Sequence, residues 1–235
     1  MKHLILIASL VLTVLLTAAC VRTEEFSQRV AEELPEEVNR VQTALDEYMK
    51  TTQVLPIKPP QGRSLYQKYI IDFSKLESQL SEPPANSFEN GGHFVFVIAD
   101  PGKKPEVRVM DLRVTEEVGK LQTRVDAHKR EEGKLPKGAR EGADLYALDF
   151  KVLGVDPVTI PSPYNSQVSL PILIDNQGQL FVDYRVDVVQ VLEEKKGEPD
   201  KDQDLRELLW KDSLFVPAYS PPMTYKKGDP VFKKK

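Results

Sequence analysis

Apolar and polar positions follow two rhythms along this chain. Val38, Val41, Leu45 and Tyr48 recur every three or four residues, with Glu36, Glu37, Arg40, Asp46, Glu47 and Lys50 mostly elsewhere, which predicts an amphipathic helix. The rhythm returns at Val118, Leu121, Val125 and His128, with Thr115 as its N-cap and Glu116 and Glu117 where the helix dipole favours acids. A strand pattern takes over in HFVFVIA, from His93 to Ala99, followed by turn residues Asp100, Pro101 and Gly102 and a returning strand through Val107, Val109 and Leu112. Further on, Leu170 to Ile174, a turn at Asp175-Asn176-Gln177-Gly178 and a long strand from Leu180 to about Val191 predict a second hairpin, with Pro171 marking a sheet edge. Pro56, Pro59 and Pro60, and later Gly133, Pro136 and Gly138, read as extended connectors between helix and hairpin.

These rhythms come in two nearly matching passages. Glu36-Glu37-Val38, Gln42-Thr43, Asp46, Leu55-Pro56 and Leu65-Tyr66 recur 80 positions later as Glu116-Glu117-Val118, Gln122-Thr123, Asp126, Leu135-Pro136 and Leu145-Tyr146. The register then drifts: Asp72-Phe73 answers to Asp149-Phe150, Asn86-Ser87 to Asn165-Ser166, and Leu112-Arg113-Val114 to Tyr184-Arg185-Val186. Drift of this kind is what loops of unequal length produce. The expected fold class is α+β, two duplicated lobes, each a helix packed on a small antiparallel sheet. The expected lobes span 36–115 and 116–195. A short helix on Leu205, Leu208, Leu209 and Trp210 follows within 196–235, ahead of a solvated basic tail.

Before the first helix the pattern breaks altogether. Residues 4–19, LILIASLVLTVLLTAA, carry no charge and follow Met1-Lys2-His3, the profile of a signal peptide. The stretch falls short of the roughly 20 residues that cross a bilayer, which ranks an uncleaved anchor helix second. Cys20, the single cysteine, stands where it ends. Leu16-Thr17-Ala18-Ala19-Cys20 resembles the bacterial lipobox, and that resemblance implies a diacylglyceryl thioether on Cys20 and cleavage after Ala19. Two acyl chains hold a protein stably to a membrane where one does so only marginally. The expected location is therefore the extracytoplasmic face of the cell membrane, with 20–35 as a lipid-anchored linker.

Two family resemblances follow from particular residues. Ala44-Leu45-Asp46-Glu47-Tyr48 with Leu55-Pro56, then Pro84, Asn86, Phe88 and Gly91-Gly92 before a strand, resemble the soluble head of type II secretion pseudopilins. YQKYIIDFSKL and SEPPANSFENGG resemble uncharacterised membrane lipoproteins of spore-forming Gram-positive bacteria, which implies a location and no activity.

The formal net charge of −4 argues against nucleic-acid binding, which needs a concentrated basic face. His93 and His128 stand in different passages, without a serine elbow, a phosphate loop, a paired-histidine helix or a calcium loop around them. His128 occupies the place of Tyr48 at the edge of a buried face. Glu36 and Glu37 read as solvated helix-start charges. No catalytic residue, metal site or cofactor is expected. The expected role is a non-enzymatic interaction or scaffold lipoprotein with a protein partner in the cell envelope, contacted through sheet edges and the PPANSFENGG loop, unless that loop is purely structural. The alternative is the solute-binding lipoprotein of an ABC-type importer, which a deep cleft between the lobes would favour.

Overall fold

The computed structural model describes residues 32–60, 65–102 and 104–233; Cys20, the apolar segment before it and the last two lysines lie outside the described residues. Helix α1 (32–52) buries Leu34, Val38, Val41, Ala44 and Leu45, the face that the three-and-four spacing defines. β1 (Phe94–Ile98) and β2 (Val107–Asp111) form an antiparallel hairpin with Phe94 opposite Asp111 and Ile98 opposite Val107. Single bridges from Ile70 to Val97 and from Ile57 to Ile71 extend it sideways.

Asp111 then caps α2 (Leu112–Glu132) by accepting the Arg113 backbone N–H at 2.9 Å. β3 (Lys137–Gly142), β4 (Leu145–Leu148), β7 (Ile172–Asp175) and β8 (Leu180–Val182) form an antiparallel sheet in that order. The one-turn helix α3 (Phe150–Leu153) and the small pair β5 (Ile160–Pro161) and β6 (Ser169–Leu170) lie between β4 and β7 in the chain. α4 (Arg185–Lys195), α5 (Arg206–Lys211) and the hairpin β9 (Met223–Lys226) with β10 (Asp229–Phe232) complete the chain. The class is α+β, with small antiparallel sheets.

Strand alternation places β1 between two cores. Phe94, Phe96 and Ile98 face the core of α1 with Ile71, Phe73 and Leu76, whereas Val97 and Ala99 face the larger core of α2, the four-stranded sheet and the C-terminal elements. The C-terminal segment ties both sheets by their edges: the Val109 N–H donates to Leu214 O at 2.8 Å, and the Val182 N–H to Tyr219 O at 3.1 Å.

The paired passages make matching hydrogen bonds. Gln42 donates to Asp46 (2.9 Å) and Pro105 O (3.0 Å) and accepts from the N–H of Val107, the first residue of β2 (2.7 Å). Gln122 donates to Asp126 (3.0 Å) and Gly178 O (2.8 Å) and accepts from the N–H of Leu180, the first residue of β8 (3.0 Å). Each glutamine thus fastens its helix to the start of a returning strand. The Asp72 N–H meets Pro56 O at 2.8 Å, and the Asp149 N–H meets Pro136 O at 2.9 Å.

Several expectations are corrected. The stretch from Arg185 to Val191 is helical, although its valines favour a strand; Tyr184 is the N-cap, and Asp183 just before it accepts the Arg185 N–H at 3.0 Å. Leu112 opens α2 in the same way, which moves the cap from Thr115 to Asp111. Both aspartates also clasp the arginine two residues on, as does Asp204 with Arg206 at the start of α5. Pro171 does not mark an edge: it sits between β6 and β7, and β7 is an inner strand. Residues 137–142 are a strand and not a connector, since β4 pairs with them. The tail is ordered through Lys233, because Val216, Ala218, Met223 and Phe232 are buried and Lys227-Gly228 makes a tight turn with positive φ at both positions.

Candidate functional site

The PPANSFENGG loop is built by its own chemistry. The Ser87 N–H donates to Pro84 O (3.0 Å), and Asn90 Nδ2 to Pro83 O (2.7 Å). The N–H of Gly92 donates to Ser87 O (2.8 Å) and that of Phe94 to Asn86 O (3.0 Å). Gly92 is obligatory, since a Cβ there would stand 2.2 Å from the carbonyl carbon of Asn86. Gly91 supplies the left-handed turn at φ +79°.

This loop faces the first turns of α1 across an open cavity of about 430 Å³, lined by Glu33, Glu36, Glu37, Arg40, Glu82 and Asn90 among others. Glu36 is exposed, as expected of a helix-start charge, but Glu37 is only 9 % exposed and corrects that reading. Glu37 Oε1 accepts the Asn86 N–H at 3.2 Å. Its Oε2 is buried without a hydrogen-bond partner, as are Asn86 Nδ2 and the hydroxyl of the fully buried Ser87. Phe88, on the same turn as Asn90, is 55 % exposed.

A second cavity, of about 460 Å³, lies beside α2 and is lined by Gln122, Asp126, Lys129, Gln177, Gln179 and Tyr219 among others. Its polar groups serve the framework: Gln122 holds the hairpin, Lys129 donates to Gln177 O (3.0 Å), and Gln67 donates to the Tyr219 hydroxyl (2.7 Å). The geometry there is that of a braced joint.

A third cluster lies in the interior. Ser162 Oγ donates to Asp187 Oδ1 at 2.8 Å and accepts the N–H groups of Tyr164 (3.0 Å) and Asn165 (3.3 Å). With its proton and both lone pairs engaged, Ser162 is a brace and not a nucleophile. Asp187, 1 % exposed, has its pKa raised to about 6 by burial, with the Ser162 hydrogen bond acting in the opposite direction. Burial also pushes the hydroxyls of Tyr164 and Tyr184 well above their ordinary pKa.

Of the residues singled out in the sequence, Cys20 lies outside the described residues. His93 is exposed just before β1, and His128 is partly exposed near the end of α2. Asp175 accepts the N–H groups of Gln177 (2.8 Å) and Gln179 (2.9 Å), the bonds of a hairpin turn. Among the described residues, no group of three or more His, Cys, Asp or Glu side chains is placed to hold a metal ion. Sequence reasoning missed Glu37 as a buried group; its place on the apolar face, one residue before Val38, was the available signal.

The cavity beside α1 belongs to a segment with a recognisable relationship. Residues 34–111 match the YphF family N-terminal domain. The matched segment runs from the first turns of α1 to Asp111, the cap of α2, and so takes in α1, the PPANSFENGG loop and the β1–β2 hairpin. No curated protein and no solved structure matches the chain. Among the described residues no helix is long and apolar enough to cross a membrane.

Proposed function

We propose that this protein is an extracytoplasmic lipoprotein of the cell membrane, tethered by a diacylglyceryl group on Cys20, which binds a protein partner of the cell envelope and catalyses no reaction. The lipobox-like residues 16–20 and the resemblance of YQKYIIDFSKL and SEPPANSFENGG to membrane lipoproteins support the location. The likeness of residues 41–100 to pseudopilin heads fits a role in assembly. One observation carries the binding role: an open cavity of about 430 Å³ between α1 and the PPANSFENGG loop is lined by Glu33, Glu36, Glu82 and Arg40 among others, and the same loop exposes the ring of Phe88.

The test is a labelled-palmitate feed of cells expressing the wild type or Cys20→Ser, followed by crosslinking and affinity capture from membranes. The wild type should carry the label, sediment with membranes and capture a partner through the loop face. A wild-type chain that stays unlabelled and in the medium refutes the tether. Capture unchanged by Phe88→Ala and Glu37→Gln refutes the loop as the contact.

A further inference from the structure

We propose that residues 161–168, the tip of the β5–β6 hairpin, form a strap that Asp187 latches to α4 and that lifts more readily once the Asp187 carboxyl is charged, uncovering the junction beside α2. The strap goes beyond the tether and partner reading above and does not depend on it.

Few bonds hold the strap down. Ser162 Oγ donates to Asp187 Oδ1 at 2.8 Å, Asn165 Nδ2 to Gln190 Oε1 about one turn further along α4 at 3.2 Å, and the Tyr164 hydroxyl to Phe215 O at 3.2 Å. The turn of the strap is built on the same serine, which accepts the N–H groups of Tyr164 and Asn165. Ile160 and Leu170, paired across its base and almost fully buried, anchor the two ends. Loss of the Ser162–Asp187 bond therefore loosens the tip and leaves the base in place.

Burial decides what charge does to that bond. Asp187 Oδ2 is buried without a hydrogen-bond partner among the described residues, and Arg185, two residues away on the same helix, is turned to Asp183 and Glu141. The titratable groups that face Asp187 are an acid and hydroxyls: Asp183 ahead of α4, Tyr184 at its cap and Tyr164 on the strap, with Asp111 at the start of α2 and Tyr66 acting on the same tyrosines. A neutral carboxyl tolerates this place, whereas a carboxylate gives up its hydration and gains no cation in return, and its pKa is accordingly raised to about 6. Lifting the strap returns water to the carboxylate, so charge favours the lifted form.

Pro161, Ser162 and Pro163 wall the crevice of about 80 Å³ that Asp111, Arg113 and Glu117 also line. Lifting them widens it towards the state of the junction beside α1, where the answering loop, with Asn86-Ser87 in place of Asn165-Ser166, leaves about 430 Å³.

The test is hydrogen exchange of the full chain in detergent micelles from about pH 4 to about pH 7, with protection factors corrected for intrinsic exchange. The Ser162, Tyr164, Asn165 and Val168 amides should lose protection as pH rises to about 6, by up to about a hundredfold, and level off above it, the span that a rise from 3.8 to about 6 permits. The Ile98 and Ala99 amides of the first hairpin should keep theirs. Asp187→Asn retains an acceptor for Ser162 without the charge, and should hold the strap amides at their low-pH protection throughout. Ser162→Ala should lower that low-pH protection about tenfold. A carbon-13 titration of the Asp187 carboxyl in the wild type makes the check without any substitution, with ionisation expected near pH 6. Strap amides that ignore pH in the wild type or still follow it in Asp187→Asn, strap and hairpin amides that fall together, unchanged protection in Ser162→Ala, or a carboxyl that ionises near 3.8 overturns the latch.

Discussion

The segment through α1 and the first hairpin and the segment through α2 and the four-stranded sheet use one set of fastenings and finish one surface differently. In both, a glutamine on the helix pins the first N–H of the returning strand, at 2.7 Å from Gln42 and 3.0 Å from Gln122. In both, an aspartate at or just after the end of that strand accepts the backbone N–H of the arginine two residues on and clasps its side chain. The contrast lies where the start of each helix meets a proline-containing loop. Beside α1 that place is an open acidic cavity of about 430 Å³, with Glu37 half unmet. Beside α2 it shrinks to about 80 Å³, between Glu117 and Pro161-Ser162-Pro163, with Asp111 engaged by Arg113 and Ser162 by Asp187, whose Oδ2 is likewise buried without a hydrogen-bond partner. The backbone fastenings recur, whereas the side chains at each helix start leave one junction open and the other nearly closed.

Three measurements can break or sharpen that contrast. Gly92→Ala should have the largest effect, because its Cβ would overlap the Asn86 backbone, which has no freedom to yield. We expect a loss of about 3 kcal/mol or more in urea unfolding, or selective loss of loop protection in hydrogen exchange. A fully stable variant would show that the loop is not rigid.

Asp187 comes next. Its carboxyl is raised from 3.8 to about 6 in the folded chain, so the native state holds a proton that the unfolded state releases between those values. The contribution of this carboxyl to stability is then fully present below about pH 4 and is lost as pH rises through about 6, by as much as about 3 kcal/mol for a shift of this size. Asp187→Asn should flatten that part of the profile and make the protein more stable at neutral pH than the wild type. Unchanged pH dependence in equilibrium unfolding would remove the buried carboxyl from the account of why the second site is closed.

The smallest effect tests the likeness itself. Gln42→Ala and Gln122→Ala should each cost about 1 to 2 kcal/mol, through the N–H groups they leave unmet, and should add in the double variant. A large cost at one and none at the other would mean that the two bonds hold the two segments by different means.

Much of this scaffold is written in the sequence. The spacing of Val38, Val41 and Leu45, and of Val118, Leu121 and Val125, sets two helices, because a single helix face must be buried and periodicity alone identifies it. Gln42 and Gln122 were visible as a recurring residue, although not as fastenings, since a hydrogen bond to a distant backbone leaves no mark on its neighbours. The register linking Leu112-Arg113 to Tyr184-Arg185 was also legible, while the elements it joined were misread. Four valines from Val186 to Val191 favour a strand locally, and the Asp183 bond to the Arg185 N–H with burial of Val188 overrides them by a margin that propensity does not carry.

The sequence alone determined which stretches had to hide an apolar face and where they recur, because that information is periodic and local. Tertiary structure alone decided that the tail folds back over the core through Met223 and Phe232, that Glu37 is buried, and that one helix–loop junction stays open while its counterpart closes on Asp187. Each of these depends on which surfaces meet after the chain returns on itself, and burial of a polar group becomes costly or useful only once its neighbours from distant parts of the chain are in place.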